Sequence, residues 1–301
     1  MKAGLQVPYF TWPGGAAAIG PTFGALAKRA EDGGFYSFWV MDHFFQLPGL
    51  GPADVDMLEG YTALAFAAAH TSKIKLGTMV TGVTYRHPGV LVKTVTTLDV
   101  LSGGRAYFGV GAAWFEREHL GLGVPFPPMK ERFERLEETL RIAHGMWSED
   151  VGPFPGKYSD LAEMICVPAP LSRPHPPILI GGQGEKKTLR FVAKYADATN
   201  LVGVPFSEDG VETLRHKLDV LKQHCEREGR PYDRIEKTLL LTLMVRDEAG
   251  GRWQTPEQAV ALLRKFRDLG LDQPIFNMPN VDRPETLEYV TEKVLRPIAG
   301  W

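Results

Sequence analysis

The feature that most constrains this chain is an alternation that never stops. Short β-branched or aromatic runs are separated by longer segments whose apolar residues recur every three or four positions. Eight runs are readable: Ala3–Val7, Ser37–Met41, Ile74–Thr81, Arg105–Gly109, Pro177–Gly181, Ala198–Val202, Thr238–Val245 and Pro274–Asn277. Between them, Phe23, Leu26, Ala27 and Ala30 form one helical stripe, and Val90, Val92, Val95, Leu98 and Leu101 another. Each stripe needs a sheet to bury it. The pattern predicts an α/β chain, with a closed (β/α)8 TIM barrel and an open doubly wound sheet as the competing arrangements. An open dinucleotide-binding sheet should carry GxGxxG directly after its first strand, but Val7 is followed by Pro8-Tyr9-Phe10-Thr11-Trp12-Pro13-Gly14-Gly15. The barrel is therefore favoured. A bare barrel uses about 250 residues, so 1–301 reads as a single domain whose excess lies in two long connections, 44–59 after strand two and 148–176 before strand five. The first is placed to select substrate. The second reads equally as a lid or as a structural insertion.

Composition narrows the partners. The balance of 34 Lys plus Arg against 36 Asp plus Glu leaves a net charge of −2, which supplies no basic field for nucleic-acid phosphates. The stretch 61–69 is about half a membrane span, and the start MKAGLQVPYF lacks the apolar core of a signal peptide. The two cysteines, Cys166 and Cys225, belong to no metal-ligand or disulfide pattern. No HExxH or HxH spacing marks a metal site. These readings lead to an expectation of a cytoplasmic protein, paired as a homodimer, that acts on a small molecule without nucleic acid, membrane or metal.

In a barrel the chemistry collects at the C-terminal ends of strands. After strand two stand Asp42 and His43, able to bond a polar heterocycle and move protons near neutral pH, or merely to cap a turn. Strand three ends LGTMVTG, whose glycines around an apolar pair suggest a bulge or plain buried strand. Strand four ends GVGAAW, where Gly109 and Gly111 permit close backbone approach and Trp114 can wall a planar ligand or simply close the barrel. The run ILIGGQGEKKT, residues 178–188, takes a strand through glycines into a helix and resembles a phosphate cradle or a tight turn. The charged run Lys130–Glu138 reads as the wet side of a helix.

Taken together, FWVMDHF (38–44), the segment from Ile74 to Ile142, and PPILIGGQGEKKTLRFVAKYADATNL (176–201) resemble the luciferase-like monooxygenase superfamily of flavin- and deazaflavin-dependent oxidoreductases. The likeness is greatest to the branch that uses coenzyme F420, with FMN as the alternative cofactor. The resemblance implies hydride transfer between F420 and a small organic substrate. An FMN-dependent monooxygenase and a non-enzymatic flavin-binding protein of the same fold are the alternatives. It implies His43 as the catalytic proton carrier. It also implies a cofactor site of Asp42, Thr78, Met79, Val80, Gly111, Gly181, Gly182 and Gln183, with a cis peptide at Met79-Val80. Trp114 stands where sugar-phosphate dehydrogenase relatives carry a glutamate, and Glu116 is displaced along the turn. A bulkier or more apolar substrate is expected for that reason, walled by Trp12, Phe44, Phe45 and Trp114.

Overall fold

A computed structural model describes residues 1–149 and 151–301. Among these, nine parallel strands form one sheet: β1 (Gly4–Val7), β2 (Ser37–Val40), β3 (Lys75–Thr78), β4 (Thr81–Gly82), β5 (Ala106–Gly111), β6 (Ile178–Gly181), β7 (Ala198–Leu201), β8 (Glu236–Thr242) and β9 (Gln273–Asn277). β1 lies between β2 and β9, and β3 pairs with β5 as well as β2, so the sheet curls into a nearly closed barrel. The expected run Ile74–Thr81 is not one strand. It is divided into β3 and β4 by Met79 and Val80, whose shared peptide is cis.

Period-two alternation explains the two layers of packing. Trp39, Met79, Tyr107, Leu179, Ala198 and Ile275 fill the barrel interior. Their neighbours Phe38, Val40, Phe108, Ile178 and Ile180 belong instead to the larger core under the helices. Trp39 fits inside because β3 presents Gly77, where a Cβ would stand 2.4 Å from the indole. Around the outside run α1 (Ala16–Asp32), α2 (Gly60–His70), α3 (Pro88–Ser102), α5 (Met129–Met146), α6 (Thr188–Tyr195), α7 (Glu208–Glu228), α8 (Pro256–Asp268) and α9 (Pro284–Val290). A short α4 (Glu116–Leu122) lies in the connection after β5, and α10 (Arg296–Ile298) closes the chain. Helix ends follow local rules: α3 begins on Pro88 and stops at Gly103 with φ 74°, and α8 opens with a Thr255/Gln258 capping box. Among the described residues no helix is long and apolar enough to cross a membrane.

Of the connection 148–176, the described residues 151–176 form a strap on the barrel's outer wall. Glu138 of α5 accepts backbone N–H groups of Lys157, Tyr158 and Ser159 at 2.7, 3.0 and 3.1 Å. Asp99 of α3 accepts those of Leu171 and Ser172 at 2.7 and 2.9 Å. The same device ties α1 to the start of β3, where Glu31 accepts from the backbone of Ser72, Lys73 and Ile74 at 2.8, 2.6 and 2.9 Å. Burial opposes ionisation of Glu31, but these donors outweigh it and hold its pKa down to about 2 from 4.5. A carboxyl with a depressed folded pKa contributes stability that is complete above its unfolded pKa and is lost as pH falls through the folded one. Glu31→Gln should therefore cost roughly 2 kcal/mol at neutral pH. The gap to wild type should close between pH 4.5 and 2, as followed by urea unfolding across that range. A gap independent of pH would refute the assignment.

Candidate active site

At the C-terminal end of the barrel strands opens a cavity of about 690 Å³, within the usual range of ligand sites. A second cavity, of about 920 Å³, lies at the opposite end, lined by Lys2, Tyr36, Glu236 and Asp272. Two of its carboxylates have partners: Tyr107 donates to Glu236 at 2.9 Å and Lys237 pairs with Asp272 at 3.1 Å. Barrel enzymes place their chemistry at the C-terminal end, where the 690 Å³ cavity lies.

Seven of the residues singled out from sequence line it together: His43, Met79, Val80, Gly111, Trp114, Gly181 and Gly182. Six do not. Asp42 is 1 % exposed and turns behind the wall, where Arg86 clamps its carboxylate with two bonds of 2.6 and 2.9 Å. Thr78 spends its hydroxyl on Gly109 O at 3.1 Å and on Thr81 at 2.8 Å. Trp12 is buried edge-on against Phe10, with ring centres 5.8 Å apart. Phe44 packs edge-on against Tyr85 at 5.3 Å, and Phe45 lies over Gly121. Gln183 sits beside Gly203, outside the lining.

The glycines permit close packing around the bulge. A Cβ on Gly109 would stand 1.9 Å from Thr78 O, and one on Gly111 or Gly181 would stand 2.9 or 2.8 Å from the Val80 methyls. They admit the protein's own bulge, which carries Met79 and Val80 into the cavity wall. At Gly182, φ is 124°, a conformation that favours glycine.

His43 stands between Trp114 and Phe115, with ring centres at 5.7 and 5.9 Å. Its Nδ1 meets Glu118 Oε1 at 3.1 Å. Glu118, fully buried on α4, also accepts from the Tyr85 hydroxyl, from Phe44 N, and from Phe45 N at 2.8 Å. Burial would raise its pKa, but the bonds from His43, Tyr85 and Phe45 prevail and hold it below the usual carboxylate value. An ionised Glu118 requires a proton on His43 Nδ1, which fixes the tautomer; Nε2 has no hydrogen-bond partner among the described residues, on a ring that lines the cavity. Sequence reading, confined to strand ends, missed Glu118. The signal was present, because Phe115, Glu118 and His119 share one helical face by their i, i+3, i+4 spacing, and all three are buried.

Arg132, assigned by its charged neighbours to a wet helix face, is 8 % exposed and lines the cavity. Its Nη1 donates to Ala113 O, its guanidinium lies 4.3 Å from the Phe126 ring centre, and Nε has no partner. Gln6, Asn200 and Asn277 add uncharged amides to the lining. Asn200 Nδ2 donates to Thr238 at 2.8 Å while its Oδ1 has no partner. A buried polar group left unmatched costs about 1–3 kcal/mol, so these atoms mark where a ligand would repay that cost.

The luciferase-like monooxygenase model matches residues 1–286. The chain belongs to the luciferase-like monooxygenase family. An F420-dependent glucose-6-phosphate dehydrogenase of Kineococcus radiotolerans is 31% identical over 255 residues, spanning 82% of this chain and 68% of that protein. The F420-dependent tetrahydromethanopterin reductase of Methanopyrus kandleri superposes with a TM-score of 0.79 at 17% identity, covering 98% of both chains. An F420-dependent secondary alcohol dehydrogenase, solved with an F420–acetone adduct, gives 0.80 at 18% identity over 98% of this chain and 99% of that one. At such identities the two structures establish the shared fold.

Proposed function

We propose that the protein is an F420-dependent oxidoreductase that exchanges hydride with a small organic substrate. The observation that carries this reading is His43, held by the buried carboxylate of Glu118 with Nε2 open toward the cavity. The cavity suits a flat ring carrying an anionic tail. Met79 and Val80 form a raised apolar shelf against Gly111 and Gly181, and Arg132 offers an unpaired buried nitrogen for a phosphate. Bound there, F420 supplies a ring carbon that gives or accepts hydride. The protein aligns the substrate against that face, and apolar Leu47, Trp114 and Leu240 help exclude water. His43 Nε2 takes or returns the accompanying proton, with Glu118 compensating the charge that forms on the imidazole. Asp42 holds Arg86 in this account and makes no ring contact.

β3 and β4 are read as halves of one strand broken at the bulge, which makes the fold a single (β/α)8 barrel over 1–301 with insertions at 44–59 and 148–176. Cys166 and Cys225 are free, buried thiols, as a reducing cytoplasm leaves them. A second copy of the chain is proposed to cover the side-by-side helices α2 and α3, where Phe66, Val90 and Leu101 are 41, 62 and 73% exposed. Light scattering should give a dimer's mass for wild type and a monomer's for Leu101→Arg. Equal masses would exclude this face.

Fluorescence titration with F420 and FMN tests the cofactor. F420 should bind at least about tenfold more tightly, a difference of about 1.4 kcal/mol. Gly181→Ala, which drives Val80 from its seat, should weaken F420 binding by a similar factor. Preference for FMN would overturn the reading.

A further inference from the structure

Two ionisable side chains, His43 and Arg132, stand among the residues lining the cavity. If Arg132 takes the cofactor phosphate, as in the reading on which this inference rests, no cation remains for a phosphorylated or carboxylated substrate. The wall opposite the bulge is instead neutral and polar. β9 and β1 are neighbours and lie across the barrel from β5, on the far side from Val80. Gln6 projects from β1 and Asn277 ends β9, and Gln6 Oε1 accepts from Asn277 Nδ2 at 3.3 Å. That bond sets the two amides head to tail. It leaves Gln6 Nε2 as a donor and Asn277 Oδ1 as an acceptor, with no further hydrogen bond from either among the described residues. Gln6 is only 2 % exposed as a residue and is among those that line the cavity. Met41, Leu47, Val202 and Leu240 supply apolar walls.

We propose that this amide pair reads the substrate, an uncharged and largely apolar molecule that presents a carbonyl oxygen beside an N–H, as a lactam does. The carbonyl accepts from Gln6 Nε2 and the N–H donates to Asn277 Oδ1. His43 stands past the end of β2, next to β1, and so reaches the same molecule. A sugar phosphate would lose its hydration here without gaining a counter-ion.

Calorimetric titration of the F420-loaded and cofactor-free protein with δ-valerolactam, N-methyl-δ-valerolactam and glucose 6-phosphate tests this. The free lactam should bind about tenfold more tightly than its N-methyl derivative, as expected for one lost hydrogen bond. Glucose 6-phosphate should not bind beside F420. Asn277→Leu should abolish the preference for the free lactam. Gln6→Leu should weaken both lactams alike by about tenfold, with F420 affinity unchanged in either variant. Gln6→Met and Asn277→Ser repeat the comparison where a leucine variant fails to fold. Binding of glucose 6-phosphate to the loaded protein, or a lactam preference that survives Asn277→Leu, overturns the proposal. Failure of wild type to bind F420 overturns the cofactor reading instead, and the cofactor-free titrations still decide the amide pair.

Discussion

Replacing His43 with Ala should lower kcat by about 10²–10⁴-fold, the usual contribution of a positioned general acid or base, while F420 binds as before. The separation is expected because the imidazole is held by Glu118, whereas the apolar shelf for the ring is formed by Met79 and Val80. Glu118→Gln isolates that support. The amide keeps the volume but offers one oxygen where the carboxylate accepts from His43, Tyr85, Phe44 and Phe45. Its kcat should fall by about 10–10²-fold with KM little changed, as for a group that acts only as charge develops on its partner. Stopped-flow measurement of F420 reduction or reoxidation reads both variants. Full turnover by His43→Ala would remove it from the mechanism.

The second large effect is on stability. Arg86 clamps Asp42 from behind the site, pairs with Glu59 and lies 5.0 Å from the Tyr61 ring centre. Burial works against the guanidinium's charge, but the carboxylate beside it outweighs this and raises its pKa above the ordinary arginine value. Arg86→Met removes the partner of Asp42, whose pKa burial already raises, and leaves that carboxyl either an unpaired buried charge or protonated, at a cost of up to about 3–5 kcal/mol. The double variant Asp42→Leu/Arg86→Met should recover most of that loss, because apolar replacement of a whole buried pair is often close to neutral. Denaturant unfolding of the three proteins checks the cycle. An Arg86→Met protein as stable as wild type would show that the pair does not hold the end of β2.

The two effects explain how far the site was legible in the sequence. Asp42 and His43 are adjacent and were paired in function, yet neighbours along extended chain face opposite sides. His43 turns inward and Asp42 outward. The cis peptide at Met79-Val80 was legible only through the family resemblance, since the bracketing glycines left a bulge and a plain strand both open, and the reason for Gly109, Gly111 and Gly181, their contact with Thr78 and Val80, needed the sheet's register. The eight strand regions and the first helical stripe were legible from periodicity, which local sequence sets directly, but in the second stripe Val90 and Leu101 face away from the sheet and are 62 and 73% exposed. Arg132 and Glu138 were not, because a charged run looks solvated until Ala113 O and the 157–159 backbone are found to bury it. Gln6 and Asn277, 271 positions apart, meet only when the barrel closes.

The outer strap at 151–176 and the loop at 44–59 also divide the labour of change. The strap gives the cavity no residue, whereas the loop gives it Leu47 and Leu50. Descendants of this chain can therefore acquire new substrates by drift in one loop while the strap goes on bracing the wall, and laboratory evolution of specificity should concentrate its library on 44–59.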